Sequence, residues 1–479
     1  MEKVSIREVF AQFFEGAVFA YGLTLLLIYA LLAFFSLIAV KRYKRLDDLQ
    51  SLNDLVASSL TPGITVLAPA YNEGLTIIMN VRSLLTLNYP NYEVIIINDG
   101  SEDTTLLQME EEFDLLLIDY AYNERIITQP VKGVYKSKNP AYSKLTVIDK
   151  VNGKSKADAV NAGINAANYA HFVCTDVDCV LHKDTLLELI KPVLQEEKKR
   201  VIAVGATLRL GNSCDFDHGV MIRMRPPRQL LARFQEVEYI RAFVMGKMGW
   251  SVLNSVPNVS GGLGLFDKEV AVSAGGYDHQ SFGEDMELMI RMCRFSLDNG
   301  IDYVIHYLPK TLCWTEGPAT IKVFMRQRTR WARGLAQLMY THFSMVLRPK
   351  YKTMGMVVMP YNFLFELCAP LIEFIGILIY LFMALTGVVN WPYAVILLIF
   401  VYTYAVMITT FAILTDQLAF RYYKTWKEVL LLCTTPLMEF FIYHPLTVIF
   451  SIKGYLQFLG GKKQSWGNMQ RQGMGTKKI

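Results

Sequence analysis

The chain has 479 residues, 52% of them hydrophobic, and a mean hydropathy of +0.26. That is too apolar for an ordinary water-soluble enzyme. The net charge of +5 reflects basic residues beside apolar runs; they form no aromatic-interleaved stripe, which argues against nucleic acid as a partner.

In chain order, the first signal is Gly16 to Val40, an uncharged run rich in Leu, Ala and Phe. At ~1.5 Å per residue a helix of that length crosses a ~30 Å apolar core. It lacks a small-residue cleavage site, so a membrane helix is expected rather than a signal peptide. The cluster Lys41 to Arg45 (KRYKR) then places the next domain in the cytoplasm.

Residues 46–352 are more polar and long enough for one large α/β domain. Ile64 to Pro69 reads as a buried strand, Leu75 to Leu87 as a helix, and Glu93 to Asn98 as a second strand. That is a βαβ unit, which implies a parallel sheet. No GxGxxG or GxxxxGK[ST] is present, so neither a dinucleotide fingerprint nor a P-loop is supported. Acids follow the strands instead: Tyr71-Asn72-Glu73 after the first and Asp99 after the second. Taken singly, Glu73 and Asp99 read as helix caps or turn residues.

Lys156 opens a helix, and His171 to Cys174 is a third strand, ending in Asp176 and Asp178. Residues at i and i+2 of an extended segment point the same way. Such a carboxylate pair suits a hard cation, Mg²⁺ or Mn²⁺, with a substrate diphosphate completing its shell. A lysine at a helix N-terminus opposes the dipole, a hint that Lys156 answers a phosphate. Three strands ending in acids on one sheet edge read as a site for base, ribose and metal-bound diphosphate.

A helix (Asp184 to Glu197), a strand (Val201 to Ala206) and an Arg-rich turn come next. Gln229 to Met245 is a helix with Phe234, Val237, Ile240 and Val244 on one face, for core or membrane-surface packing. The cluster Ser260 to Gly264, including Gly262, lets backbone approach a ligand or makes a tight turn. Glu284 and Asp285 open a helix, where acids ordinarily cap the dipole. Gln327, Arg330 and Trp331 share a helix face by the i, i+3, i+4 rule. An amide, a planar donor fork and an indole suit a diphosphate and a sugar ring. A membrane-interface anchor would use the same residues.

Residues 353–461 are again apolar. Thr353 to Thr415 holds two charges, Glu366 and Glu373, and a Gly387–Pro392 turn divides it into two spans. Val429 to Leu459 is one imperfect span, an interfacial helix plus a span, or a re-entrant pair. The basic tail, 462–479, prefers the cytoplasm, which requires an even number of crossings after the α/β domain, whereas the apolar stretches count three. Glu366 and Glu373 lie seven apart on one face of a helix interrupted by Pro370. Intramembrane acids mark a pathway more often than not, so they are expected to line a polymer channel; the alternative is hydrogen bonding to neighbouring helices. Seven scattered cysteines, with no CxxC or Cys/His spacing, fit reduced thiols.

Together, these pieces resemble the membrane-embedded family 2 glycosyltransferases, the group of cellulose, chitin, hyaluronan and poly-N-acetylglucosamine synthases. The matching segments stand in the family's order: APAYNE (Ala68 to Glu73), NDGS (Asn98 to Ser101), KADAVNAG (Lys156 to Gly163), TDVD (Thr175 to Asp178), SGGLGLF (Ser260 to Phe266), GED (Gly283 to Asp285) and QRTRW (Gln327 to Trp331). The resemblance implies an α/β GT-A fold, Rossmann-like with a mostly parallel sheet. This cytoplasmic domain would sit between an N-terminal transmembrane helix (1–45) and a C-terminal transmembrane bundle, in a multi-pass protein of the cell (inner or plasma) membrane.

It also implies roles. Asp99 and the Tyr71–Glu73 turn would hold uridine. Lys156, Asp176 and Asp178 would hold the diphosphate, Asp178 through the metal. Asp285, beside Glu284, would be the general base, and Gln327, Arg330 and Trp331 would bind diphosphate and the acceptor's terminal sugar. The implied activity is inverting transfer from a UDP-sugar, UDP-GlcNAc or UDP-glucose, to a growing β-linked polysaccharide that passes through the membrane helices. Accessory export subunits are candidate partners. The other readings are a single addition to a glycolipid acceptor and a non-enzymatic sugar-binding scaffold. The chain departs from the group in reading GED where TED is common, and it has no counterpart of the FxVTxK gating loop of cellulose synthases.

Overall fold

A computed structural model describes residues 6–47, 55–56, 58, 60–217 and 219–461. The expected basic tail, 462–479, lies outside the described residues.

The chain enters through one long helix, α1 (Ile6–Asp47). It then builds β1 (Ile64–Ala70), α2 (Ile77–Leu85), β2 (Tyr92–Asn98), α3 (Thr105–Phe113), β3 (Leu115–Ile118), β4 (Val131–Ser137), β5 (Leu145–Lys150), α4 (Lys156–Ala166), β6 (His171–Thr175), β7 (Val180–Leu181), α5 (Thr185–Gln195) and β8 (Arg200–Leu210). A small hairpin, β9 (Asp215–Asp217) and β10 (Val220–Arg223), precedes α6 (Leu230–Ile240). Wide π-helical turns, Arg241–Lys247, lead into α7 (Met248–Val252). Then come β11 (Leu263–Asp267), α8 (Lys268–Ser273), α9 (Glu284–Asp298), β12 (Tyr303–Thr315) and α10 (Ile321–His342). Apolar helices close the chain: α11 (Ala369–Thr386), α12 (Trp391–Phe420), α13 (Trp426–Thr434) and α14 (His444–Leu459).

Ten strands form one mixed sheet in the order β3-β4-β5-β2-β1-β6-β11-β8-β12-β7. Its centre, β5-β2-β1-β6, is parallel. Every residue of β1 and β2 is buried. That explains their unbroken apolar runs, since helices cover both faces of a parallel sheet. The chain leaves β1 toward β2 on one side and returns to β6 on the other. The carboxyl ends of β1 and β6 therefore flank a topological switch point, where open sheets bind ligands. Helix α4 lies close over β1 and β2 beside this point. A Cβ on its Gly163 would meet Ile97 at 2.9 Å and Leu67 at 3.0 Å. Its small residues therefore set how near Lys156 comes to the strand ends.

Strands β3, β4, β5 and β12 are not apparent from the sequence pattern. β3 is a short, half-exposed edge. β12 contains Pro309, and its pairing with β8 shifts register between Leu308 and Thr311, which breaks the alternation.

Among the described residues, four helices are long and apolar enough to cross a membrane: Val9–Arg45, Met354–Thr386, Trp391–Phe420 and Trp426–Leu459. The last contains π turns at Glu439–Tyr443, within the stretch whose polar residues allow several readings. The face Phe234, Val237, Ile240, Val244 is buried; Val237, Ile240 and Val244 pack with Ala412 and Ile413 of α12.

Sheet and membrane helices are also joined by charge. Arg209 of β8, fully buried, donates to Glu236 of α6 at 2.7 Å and pairs with Asp416 of α12. Glu236 also accepts from Leu210 N–H (3.0 Å) and Tyr423 Oη (2.8 Å). Removing one member of such a cluster leaves the others as uncompensated buried charges. Arg209→Met is therefore expected to cost about 3–5 kcal/mol, read as a lower midpoint of thermal unfolding in detergent. An unchanged midpoint would show that the cluster does not tie sheet to helix.

Candidate active site

The loops after β1 and β2 form one bonded unit. Asn72 takes a left-handed backbone conformation (φ 56°), which Asn tolerates better than most residues. Its N–H donates to Ser101 Oγ (3.0 Å), and its Oδ1 accepts from Glu102 N–H (2.8 Å). Glu73 N–H donates to Thr105 Oγ1 at 2.9 Å. The side chain of Asn72 is thus spent on lacing the loops, while Tyr71 and Glu73 remain half-buried at the rim.

Asp99 is fully buried. Its Oδ1 accepts from Lys150 Nζ (2.8 Å) and Gly153 N–H (3.0 Å). Lys150, also fully buried, pairs in addition with Asp158 of α4. Burial pushes the Asp99 carboxyl up, and Lys150 and Gly153 N–H oppose that push. Lys150 carries no sequence signal of its own, because it ends a strand, β5, that the local pattern does not reveal.

Next to this unit, Lys156 Nζ pairs with Asp176 and donates to Gly261 C=O at 2.7 Å. Burial alone would lower the Lys156 ammonium; the Asp176 carboxylate outweighs it and holds the ammonium well above the usual lysine range. The same Gly261 donates its N–H to Asp285 Oδ2 at 2.9 Å. Asp285 Oδ1 accepts from the helix N–H of Met286, also at 2.9 Å. Both carboxylate oxygens are therefore fixed by backbone. Glu284 lies 3.8 Å from Arg330; burial raises its carboxyl, Arg330 opposes this and Asp285 adds to it. α9 and α10 can approach here because of Gly334, whose Cβ would meet Gly283 N at 2.8 Å.

Ligand atoms of Asp176, Asp178 and Cys179 lie within 4.8 Å of one another. Two carboxylates in that spacing fit a divalent ion with oxygen preference; the thiol is an addition that the sequence pattern does not announce. A Cβ on Gly262 would sit 3.5 Å from Cys179 Sγ and 3.9 Å from Asp176 Oδ2, so this backbone borders the cluster directly. Asp99, Lys156, Asp176, Asp178 and Asp285 thus gather at one sheet edge.

On α10, Arg330 and Trp331 are exposed and Gln327 half-buried. Arg328 turns the other way. It is buried, donates to Glu238 at 2.6 Å, bonds Tyr443 Oη at 2.7 Å, and stacks 4.6 Å from the Trp331 ring. It braces the indole from behind. Lys247, likewise without a sequence signal, lies 4.6 Å over the Phe243 ring; burial lowers its ammonium to about 8, with Asp285 opposing. In the apolar helices, Glu366 accepts from Tyr361 Oη (3.0 Å), and Glu373 bonds His444 of α14 (2.7 Å). All seven cysteines are free.

A parallel-centred sheet with acids gathered at its switch point, in a chain that also carries long apolar helices, has the architecture of a GT-A glycosyltransferase. A family model described as "Glycosyltransferase like family 2" matches residues 62–334, more than half of the chain, and the chain belongs to that family. Curated relatives include the poly-beta-1,6-N-acetyl-D-glucosamine synthases of Staphylococcus epidermidis, 28% identical over 291 residues, and of Staphylococcus aureus (strain COL), 27% identical over the same length. Each match covers 60% of this chain and 58% of the relative. Similar solved structures include the mannosyltransferase PcManGT from Pyrobaculum calidifontis in complex with GDP-Man and Mn²⁺ (17% identity, TM-score 0.49, 93% of this chain and 99% of that one). Another is glucosyl-3-phosphoglycerate synthase from Mycobacterium tuberculosis (17% identity, TM-score 0.37, 61% and 84%).

Arg328 and Arg330, two residues apart, should separate cleanly. Arg328→Ala strands Glu238 and is expected to cost about 3–5 kcal/mol of stability. Arg330→Ala, at an exposed position, should leave the unfolding midpoint within the roughly ±0.5 kcal/mol typical of surface changes and lower turnover instead. Thermal unfolding and activity measured side by side check both; equal loss of stability in the two variants would refute the assignment.

Proposed function

We propose that the chain is an inverting, metal-dependent transferase that adds sugar from a UDP-sugar to the end of a growing β-linked polysaccharide. UDP-GlcNAc is the first donor to test, because the similar curated proteins are named poly-beta-1,6-N-acetyl-D-glucosamine synthases; UDP-glucose is the second. The observation that carries this reading is the meeting of Lys156 and Asp285 on the two polar groups of Gly261, with Asp176 bonded to Lys156.

Displacement at an anomeric carbon needs a base on the acceptor side and cations on the leaving side. Asp285 takes the proton of the acceptor hydroxyl as its oxygen bonds the anomeric carbon. The bond from that carbon to the diphosphate breaks, and its electron pair leaves with UDP. Lys156 and Arg330 face the charge that develops there. Asp178 and Asp176 would hold Mg²⁺ or Mn²⁺, which when bound neutralises the leaving diphosphate. One displacement inverts the sugar, so an α-linked donor yields a β-linkage. Trp331, braced by Arg328, offers a flat face to the acceptor's terminal sugar.

The basic cluster at the end of α1 favours a cytoplasmic catalytic side, and the product would leave along the helices that carry Glu366 and Glu373. Each acid has a hydrogen-bond partner, so they would line the path as bonded polar groups rather than bare charges.

The deciding experiment measures UDP release across a panel of UDP-sugars, with and without Mn²⁺, and sizes the product: a ladder supports elongation, a single addition refutes it. Asp285→Asn is expected to lower turnover by about 10²–10⁴-fold while UDP still binds; intact turnover would dismiss the base. Glu366→Gln with Glu373→Gln should reduce polymer export from proteoliposomes but not UDP release to short acceptors. Export at the unmodified rate would rule out the path.

A further inference from the structure

We propose that Arg333 anchors a phosphate-binding site where α10, α14 and the loop before α9 meet, separate from the groups assigned above to sugar transfer. The inference does not depend on the transferase reading.

The first observation is a buried charge without a counter-charge. Among the described residues, Arg209, Arg328 and Arg333 are the buried arginines. Arg209 meets Glu236 and Asp416, and Arg328 meets Glu238. Burial would lower both guanidiniums, and those carboxylates outweigh it. Arg333 is only 8% exposed, yet its side chain has no ion pair and no hydrogen bond among the described residues, and its Nε is buried without a partner. Burial lowers its guanidinium and no charge opposes. A buried charge is costly unless paired, and an arginine does not escape by losing its proton. An anion from outside the chain supplies the missing partner.

The second is that the guanidinium is held in place. It stacks 3.6 Å from the Phe282 ring, which attracts a cation but has no charge to cancel it. Gln337, one turn further along α10, grips the same loop: its Oε1 accepts from Phe282 N–H (3.1 Å) and its Nε2 donates to Gln280 C=O (3.0 Å). Ring and fork are thus preset against each other, and a planar fork matches an oxyanion through two parallel bonds. The third is position. A Cβ on Gly454 of α14 would meet Arg333 N at 3.2 Å, near the end of the apolar stretch Trp426–Leu459. Arg333 therefore lies where a membrane-crossing helix meets the aqueous side, at the level of lipid phosphates. A phosphate comes to this level on a lipid headgroup or free in solution, and the same fork recognises either. Phe282 leads directly into Gly283, Glu284 and Asp285, so an occupant would also brace that turn.

The test uses the full-length protein in a phosphate-free sugar detergent, with calorimetric binding and thermal unfolding as readouts. Two probes are titrated: inorganic phosphate and a short-chain phosphatidylglycerol. At least one is expected to bind and raise the unfolding midpoint; binding of the first alone assigns a soluble source, and of the second alone a lipid. Arg333→Gln should weaken that binding roughly 10- to 100-fold, and Arg333→Lys, which keeps the charge but not the fork, should fall between. Lys183→Gln, at an exposed position elsewhere on the domain, should leave binding unchanged; equal weakening there would reduce the effect to general surface charge and overturn the proposal. Without either probe, Arg333→Met removes an uncompensated charge and should keep or raise the midpoint, opposite to Arg209→Met. A midpoint lowered as far as in Arg209→Met would mean that the guanidinium already has its partner within the chain, and the proposal fails. It fails equally if the unmodified protein binds neither probe, a result that needs no variant to fold.

Discussion

A single residue, Gly261, holds the two halves of the site together through the two peptide groups that flank it. Its carbonyl accepts from Lys156 and its N–H donates to Asp285. Backbone does this better than a side chain would, because it has no rotamer to lose and cannot swing out of the cleft. The absence of a Cβ matters as well: one placed there would sit 3.4 Å from Asp285 Oδ2 and 3.5 Å from Lys156 Nζ, in the space between the two groups. Around this residue, Lys156 is shared between a neutral oxygen and the Asp176 carboxylate, so the Lys156 ammonium and the Asp285 carboxylate keep a fixed separation.

The surroundings make that geometry stiff. α4 rests on the sheet through Gly163, α9 meets α10 at Gly334, and the loops after β1 and β2 are laced through Asn72. Buried and half-buried ion pairs carry the same rigidity outward: Arg209 with Glu236 and Asp416 and Arg241 with Glu439 reach the apolar helices, and Arg328 with Glu238 ties α10 to α6. In each case a cation and a carboxylate lie on different elements, so moving one element against the other would expose an unpaired charge. Such pairs add little net stability but strongly disfavour misplacement.

Charge inside the crevice is managed by opposition. Burial raises Asp99 and Glu284 and by itself would lower Lys156; Lys150, Arg330 and Asp176 respectively push back. The site is thus a set of compensated buried charges whose balance a bound diphosphate would shift, rather than a pool of solvated ones.

The sequence alone determined the parts whose pattern is local. Buried runs that end in acids located β1, β2 and β6, and long uncharged stretches located the apolar helices. Asp99, Asp176, Asp178, Lys156 and Asp285 could be named because each borders an element with a clear period. The tertiary structure decided what depends on rotation and pairing. Helical spacing groups Gln327, Arg330 and Trp331 on one face apart from Arg328, but which face turns inward is settled only when α14 packs on α10. A Cβ on Gly454 would meet Thr329 C=O at 2.6 Å, a contact that turns Arg328 inward and leaves Arg330 and Trp331 outside. Lys150 was illegible for a related reason: it ends a strand recognisable only once β2 pairs with it, and a lysine read one residue at a time looks like surface until two carboxylates close around it.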